Sequence, residues 1–186
     1  MKKTLLSATL VMGLLSMNSI QASNNITFNG KITSSTCTPT INGQTDGTVT
    51  LPTVSTNAFT GETAGRTQFN IDAKDCLGTV EKTVAAFFEP DAINIDPTTG
   101  LLNNVAPATP TPADNVKLQL LDGKNGNPIK VGYQDQSATG GTTFTAWDAS
   151  GNATLIYYVE YKKAVAGNVV TAGPVVGKVV YNLMYK

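Results

Sequence analysis

Apolar and polar residues alternate along much of the chain with a period of two, the pattern of strands that bury one face and leave the other to solvent. The earliest such stretch after the opening segment spans residues 26–37, with Ile26, Phe28 and Ile32 in one register and Gly30 among them. The same alternation, with many Val, Ile, Thr, Phe and Tyr, predicts strands over residues 48–54, 67–73, 83–89, 116–121, 142–147, 153–163 and 175–185. No segment carries the 3.6-residue period of an amphipathic helix. Turn signals such as Asn42-Gly43, Asp46-Gly47, Asp122-Gly123 and Gly140-Gly141 fall between the predicted strands. Short strands punctuated in this way predict an all-β sandwich or barrel.

The opening segment has a different character. Lys2 and Lys3 precede an apolar run over residues 5–15 and then small or polar residues up to Ala22, which predicts a secretory signal peptide over residues 1–22. The run is shorter than the roughly 20 residues a membrane span needs, and no later stretch approaches that length without charge. Residues 23–186 have the size of one domain. Loss of Lys2 and Lys3 leaves 11 basic against 13 acidic residues, with Arg66 the only arginine. Scattered lysines give no footprint for nucleic acid or an anionic surface.

Export also decides how the two cysteines are read. Cys37 and Cys76 in an oxidising compartment predict one disulfide. They lie 39 positions apart in a chain with no histidine, which argues against zinc. Closing a loop of that length stabilises by roughly 4 kcal/mol in the chain-entropy model. Residues 105–115, with Pro107, Pro110 and Pro112, read as an exposed loop rather than a linker, because the 71 residues that follow would make a marginal domain.

Candidate chemistry is sparse. Without histidine, Ser-His-Asp and Cys-His arrangements are ruled out, leaving acid pairs such as Asp72 with Asp75 and Glu89 with Asp91. These sit near strand ends, where solvated acids are common, so no enzyme, metal or cofactor is predicted. Trp147 with Tyr157, Tyr158 and Tyr161 would make a stacking platform for a sugar. Tyr157 and Tyr161, however, share the face of Leu155 and Val159, which is a core pattern. The last predicted strand presents Gly173, Val175, Gly177, Val179, Tyr181, Leu183 and Tyr185 on one face. Taken alone, that face reads equally as an ordinary core strand or as a surface with a special role.

Several of these features occur together in a known family. The signal peptide, the alternating extension with Asn29-Gly30-Lys31, and the Cys37 and Cys76 pair with Phe69-Asn70-Ile71 leading into the second cysteine come first. Val116-Lys117-Leu118-Gln119-Leu120-Leu121-Asp122 follows, and then Gly173 fourteenth from the end with Tyr185 penultimate. In this order they resemble the pilin subunits of chaperone-usher fimbriae of the type 1 and P pilus kind.

The resemblance implies an incomplete immunoglobulin-like Greek-key sandwich that lacks its final strand and is completed by a donor strand from another subunit, the mode called donor-strand complementation. It implies a donor extension over residues 23–36, running into the first strand, and a pilin domain over residues 37–186. Ile26, Phe28, Gly30 and Ile32 would enter a neighbour's groove. The receiving groove would be lined by Gly173, Val175, Gly177, Val179, Tyr181, Leu183 and Tyr185, with inward residues such as Leu155, Tyr157 and Val159. Pro174 has no N–H, so pairing on that side begins after it. The implied partners are neighbouring subunits, a periplasmic chaperone and an outer-membrane usher, and the implied destination is a cell-surface fimbria used in adhesion. A chain with both donor and groove fits a major shaft subunit. A minor adaptor or tip subunit, or a carbohydrate-binding adhesin, is the alternative, and this length leaves no room for a separate receptor-binding domain.

Overall fold

The computed structural model describes residues 26–59 and 61–186. The signal peptide expected over residues 1–22, and residues 23–25 of the extension, lie outside the described residues. The chain divides into two units, Met1–Ile32 and Thr33–Lys186. In the first, residues 26–32 form no strand, and Ile26, Phe28 and Ile32 are exposed. Alternation alone does not make a strand; a ladder of main-chain bonds to a partner does.

Among its described residues the second unit has eight strands: β1 (Thr36–Ile41), β2 (Thr63–Leu77), β3 (Thr83–Phe88), β4 (Val116–Asp122), β5 (Pro128–Ile129), β6 (Thr145–Ala146), β7 (Ala153–Lys163) and β8 (Tyr181–Tyr185). Most lie where the alternation predicts them. The differences are that residues 48–54 and 175–180 form no strand, the stretch 142–147 contracts to the two residues of β6, and β1 and β5 are additional. Residues 48–51 and 175–180 keep their in-and-out burial without forming a ladder among the described residues; the second stretch accepts isolated main-chain bonds at the Val176 and Val180 carbonyls.

Two sheets face each other across the core. One has the order β1-β2-β7-β4-β5 and the other β6-β3-β8, with every pairing antiparallel. In immunoglobulin lettering, β1, β2, β7 and β4 are strands A, B, E and D, while β3 and β8 are C and F. The seventh strand of that plan, G, would pair with the outer edge of β8. Among the described residues nothing occupies that place.

The period-2 pattern explains what fills the core. Leu155, Tyr157 and Val159 of β7 meet Phe69 and Ile71 of β2, Val84, Ala86 and Phe88 of β3, and Leu118 and Leu120 of β4. Tyr157 is at the centre, 5.3 Å from the Phe88 ring in an edge-on contact and 5.7 Å from Phe69. Burial pushes its phenol well above the ordinary range. The Cys37–Cys76 disulfide joins β1 to β2. The Pro-rich stretch lies within this unit, tied down where Val105 N–H donates to the Val176 carbonyl and Ala113 N–H to that of Pro174.

The outer sides of β1 and β3 are closed locally. On the outer side of β1, Cys37 N–H donates to the Tyr185 hydroxyl at 2.8 Å, Pro39 has no N–H, and Ile41 N–H turns back to the Gln44 carbonyl. On the outer side of β3, Val84 pairs with β6, and Ala86 N–H donates to the Tyr157 hydroxyl. Phe88 is met there by the buried amide of Gln136, which accepts from its N–H and donates to its carbonyl, both at 2.9 Å. An amide offers one acceptor and one donor side by side, so Gln136 stands in for a neighbouring strand.

One ion pair gives the fold a measurable pH signature. Lys117 on β4 donates to Asp96, and the Thr98 and Thr99 N–H groups converge on the same carboxylate. Led by the Lys117 bond, these hold Asp96 far below the usual carboxylate range. A carboxylate lowered in the folded state contributes stability above its unfolded pKa of about 4 and loses it as pH falls through the folded value. The stability gap between the native chain and Asp96→Asn, read from urea midpoints, should therefore hold steady above about pH 5 and shrink below about pH 4. A gap unchanged down to pH 2 would show that the pair contributes nothing.

Candidate assembly groove

β8 is paired on one side only. Thr83 and Lys186 exchange two main-chain bonds, and Glu89 N–H reaches the Val180 carbonyl at 2.9 Å. Antiparallel pairing alternates, so this phase turns the N–H and C=O groups of Val179, Tyr181, Leu183 and Tyr185 away from β3. No described main chain bonds them. Their side chains, with Val175, pack on the core cluster yet stay only half-buried, whereas Val176, Lys178, Val180 and Asn182 are exposed. The face is apolar and in contact with the core, but incompletely covered.

A second wall faces it. Gly47, Val49 and Leu51 are partly buried while Thr48, Thr50 and Pro52 are exposed, and Val49 and Leu51 pack on the same core cluster as the β8 face. Residues 45–54 make no main-chain bond to any other described main chain. At one end the Tyr185 hydroxyl reaches Cys37 N–H of β1. Burial, and secondarily the Asp46 charge, raises the phenol of Tyr181. Trp147 stands edge-on to the Tyr185 ring at 6.4 Å.

The far end is shut by a close main-chain approach. A Cβ on Gly173 would lie 2.4–2.6 Å from main-chain atoms of Thr111, Pro112 and Ala113. Asn104 ties this end together, donating to the Ala113 and Pro174 carbonyls and accepting from Val176 N–H. Gly177 instead lies over Leu118, whose methyl a Cβ would meet at 2.6 Å.

The structure thus brings Val175, Gly177, Val179, Tyr181, Leu183 and Tyr185 together on one face, with Gly173 beyond it under the 111–113 loop. Sequence reasoning missed the opposing wall at Val49 and Leu51 as part of a site, although their alternation was visible. It also missed Asn104, which nothing in the local pattern singles out. The proposed aromatic platform does not assemble: Tyr157 is in the core, Trp147 and Tyr161 pack against it, and Tyr158 is on the opposite face of β7 from Tyr157. The candidate acids serve local structure. Asp91 accepts from Ile93 and Asn94, Glu89 from Asn182, and Asp72 from the Thr154 hydroxyl.

These features define an all-β, immunoglobulin-like domain one strand short of a closed sandwich. The family model described as FimA, type-1 fimbrial protein, A, matches residues 51–186. The chain is 41% identical over 167 residues to the major fimbrial subunit SMF-1 of Stenotrophomonas maltophilia, covering 88% of this chain and 93% of that one. It is 39% identical over 166 residues to the F17 fimbrial protein of Escherichia coli, covering 87% and 86%. A solved subunit of a chaperone-usher pilus has the same fold, with a TM-score of 0.55 at 17% identity over 89% of this chain and 97% of the other. The chain belongs to the type-1 fimbrial protein family and is a structural subunit of a surface fimbria. No helix among the described residues is long and apolar enough to cross a membrane.

The two groove glycines separate by what surrounds them. Gly173→Ala drives a methyl into main-chain atoms of residues 111–113, whereas Gly177→Ala meets the flexible end of Leu118. Gly173→Ala should cost on the order of 1–3 kcal/mol and Gly177→Ala less, read from urea midpoints of the purified subunit. Equal midpoints would show that the 111–113 loop yields freely.

Proposed function

We propose that the groove beside β8 takes the N-terminal extension of a neighbouring copy, with Ile26, Phe28 and Ile32 on its apolar floor and Gly30 where the groove leaves no room for a side chain. The observation that carries this reading is the outer edge of β8, with main-chain groups unbonded by any described main chain above an apolar, half-buried face. Ile26, Phe28 and Ile32 are 78%, 89% and 98% exposed in the same chain. Gly30 supports it from another direction. Its φ is not positive, and a Cβ there would meet nothing within 4 Å, so nothing in the extension itself calls for glycine.

On this reading Gly173, Val175, Gly177, Val179, Tyr181, Leu183 and Tyr185 form the acceptor side. Donor and acceptor surfaces differ, so the contact is head-to-tail and generates an open filament. An uncovered groove invites aggregation, which gives a periplasmic chaperone its task of covering the site before a neighbour does and delivering the subunit to an outer-membrane usher. A donor and an acceptor in one chain suit a shaft subunit, and the similarity to a major fimbrial subunit supports that assignment. The role is structural rather than catalytic.

Two variants test the donor assignment. Deletion of residues 23–32 should leave a subunit that chaperone still captures but that cannot extend a fibre, and long normal fibres in electron micrographs would refute it. Gly30→Val should abolish docking into the neighbour while leaving the urea midpoint of the free subunit unchanged, because the added side chain meets nothing there. Fibre yield equal to that of the native chain would sink the glycine's role.

A further inference from the structure

The stretch between the extension and β1 is held by a buried acid. Thr33 donates its hydroxyl to Glu81 Oε2 at 2.7 Å. Ser35 donates to the Glu81 carbonyl at 3.3 Å and lies 3.5 Å from Oε2. The two hydroxyls are 3.3 Å apart, and Ser35 N–H closes onto the Thr33 hydroxyl at 3.2 Å. Ser35 and Glu81 are both buried. Gly78 lets them approach, since a Cβ there would lie 2.4 Å from the Ser35 hydroxyl and 2.9 Å from the Glu81 carbonyl. The compact unit accordingly begins at Thr33, three residues before the first strand.

We propose that Glu81 is a positioning residue for the fibre: by clamping Thr33 and Ser35 it makes the joint between successive subunits stiff. The inference rests on the reading of residues 26–32 as the strand donated to a neighbour. Under that reading Ile32 belongs to the neighbour's sheet and Thr36 to the subunit's own sheet, and only residues 33–35 join them. Three extended residues span roughly 10 Å. A free joint of that length lets two domains rock about single-bond torsions. A joint whose side chains are hydrogen-bonded to a buried carboxylate and to its main-chain carbonyl does not. Bending stiffness of the filament then depends on Glu81, which is itself neither one of the donor residues nor one of the residues that line the groove. The clamp accounts for the hydroxyls at the alternate positions Thr33 and Ser35, which turn to Glu81, while Ser34 between them is exposed.

Persistence length of purified fibres, traced in electron micrographs, tests this. Glu81→Ala fibres should assemble and resist denaturant as native fibres do, yet show a persistence length at least about twofold shorter. Fibres of unchanged persistence length would overturn the clamp. Thr33→Val removes one hydroxyl at nearly constant volume, and it is read by the same two outcomes where Glu81→Ala subunits fail to fold. The deletion of residues 23–32 serves as the control, because fibres that still form without them would overturn the donor reading itself, whatever the stiffness of the Glu81 variant.

Discussion

The N–H and C=O groups along the outer edge of β8 need partners that no other described main chain supplies, and the shape of the domain follows from that deficit. A strand bonded on one side is short, because its ladder survives only where β3 faces it. Beyond Tyr181 the chain continues to alternate back to Val175 but has no register partner, so the apolar face remains while the strand stops. The core beneath it is closed on three sides and thinly covered on the fourth. Stability and assembly are thus one problem: the groups that would complete the core are the same groups that would join two subunits.

A fold with a long open edge at β8 gains from closing its other long strands. The outer edge of β1 is closed by a tyrosine hydroxyl, a proline and a tight turn, and the outer edge of β3 by a second tyrosine hydroxyl and the Gln136 amide. These side chains occupy donors that a passing strand would otherwise take up. Tyr157 therefore does two things, filling the centre of the core and satisfying Ala86 from the opposite sheet. Strand addition at β1 and β3 is thereby disfavoured relative to β8, which favours a linear polymer over a branched aggregate.

The pattern of apolar positions revealed the sandwich because burial, unlike hydrogen bonding, is written residue by residue. Leu155, Tyr157 and Val159 alternate in the sequence and are buried in the structure. The same rule overcalled residues 48–54 and 175–180, whose side chains alternate as predicted but whose main chain lacks a ladder among the described residues. Those overcalls coincide with the walls of the groove, so the disagreement itself locates the site. Gln136, Asn104 and Glu81 were not legible. Each acts through polar contacts with residues far along the chain, and a single polar residue in a loop carries no period from which its partners are deduced.

If residues 26–32 are donated as proposed, the division of labour within that strand follows from magnitudes. Burying Ile26, Phe28 and Ile32 contributes roughly 5–9 kcal/mol. Fixing the main chain from Ile26 to Ile32, seven residues, costs about 7–14 kcal/mol. Side-chain burial thus does not by itself order the strand, and the shortfall falls to main-chain bonds along β8, each worth about 0.5–1.5 kcal/mol net. Main-chain bonds do not distinguish one residue from another, and a slip by two positions would keep the same bonding alternation and inward face, losing only bonds at one end. What tells one register from the next is the placement of side chains of unlike size, and among Ile26, Phe28, Gly30 and Ile32 only the glycine differs sharply from its neighbours. Affinity therefore belongs to the edge of β8, and register to Gly30.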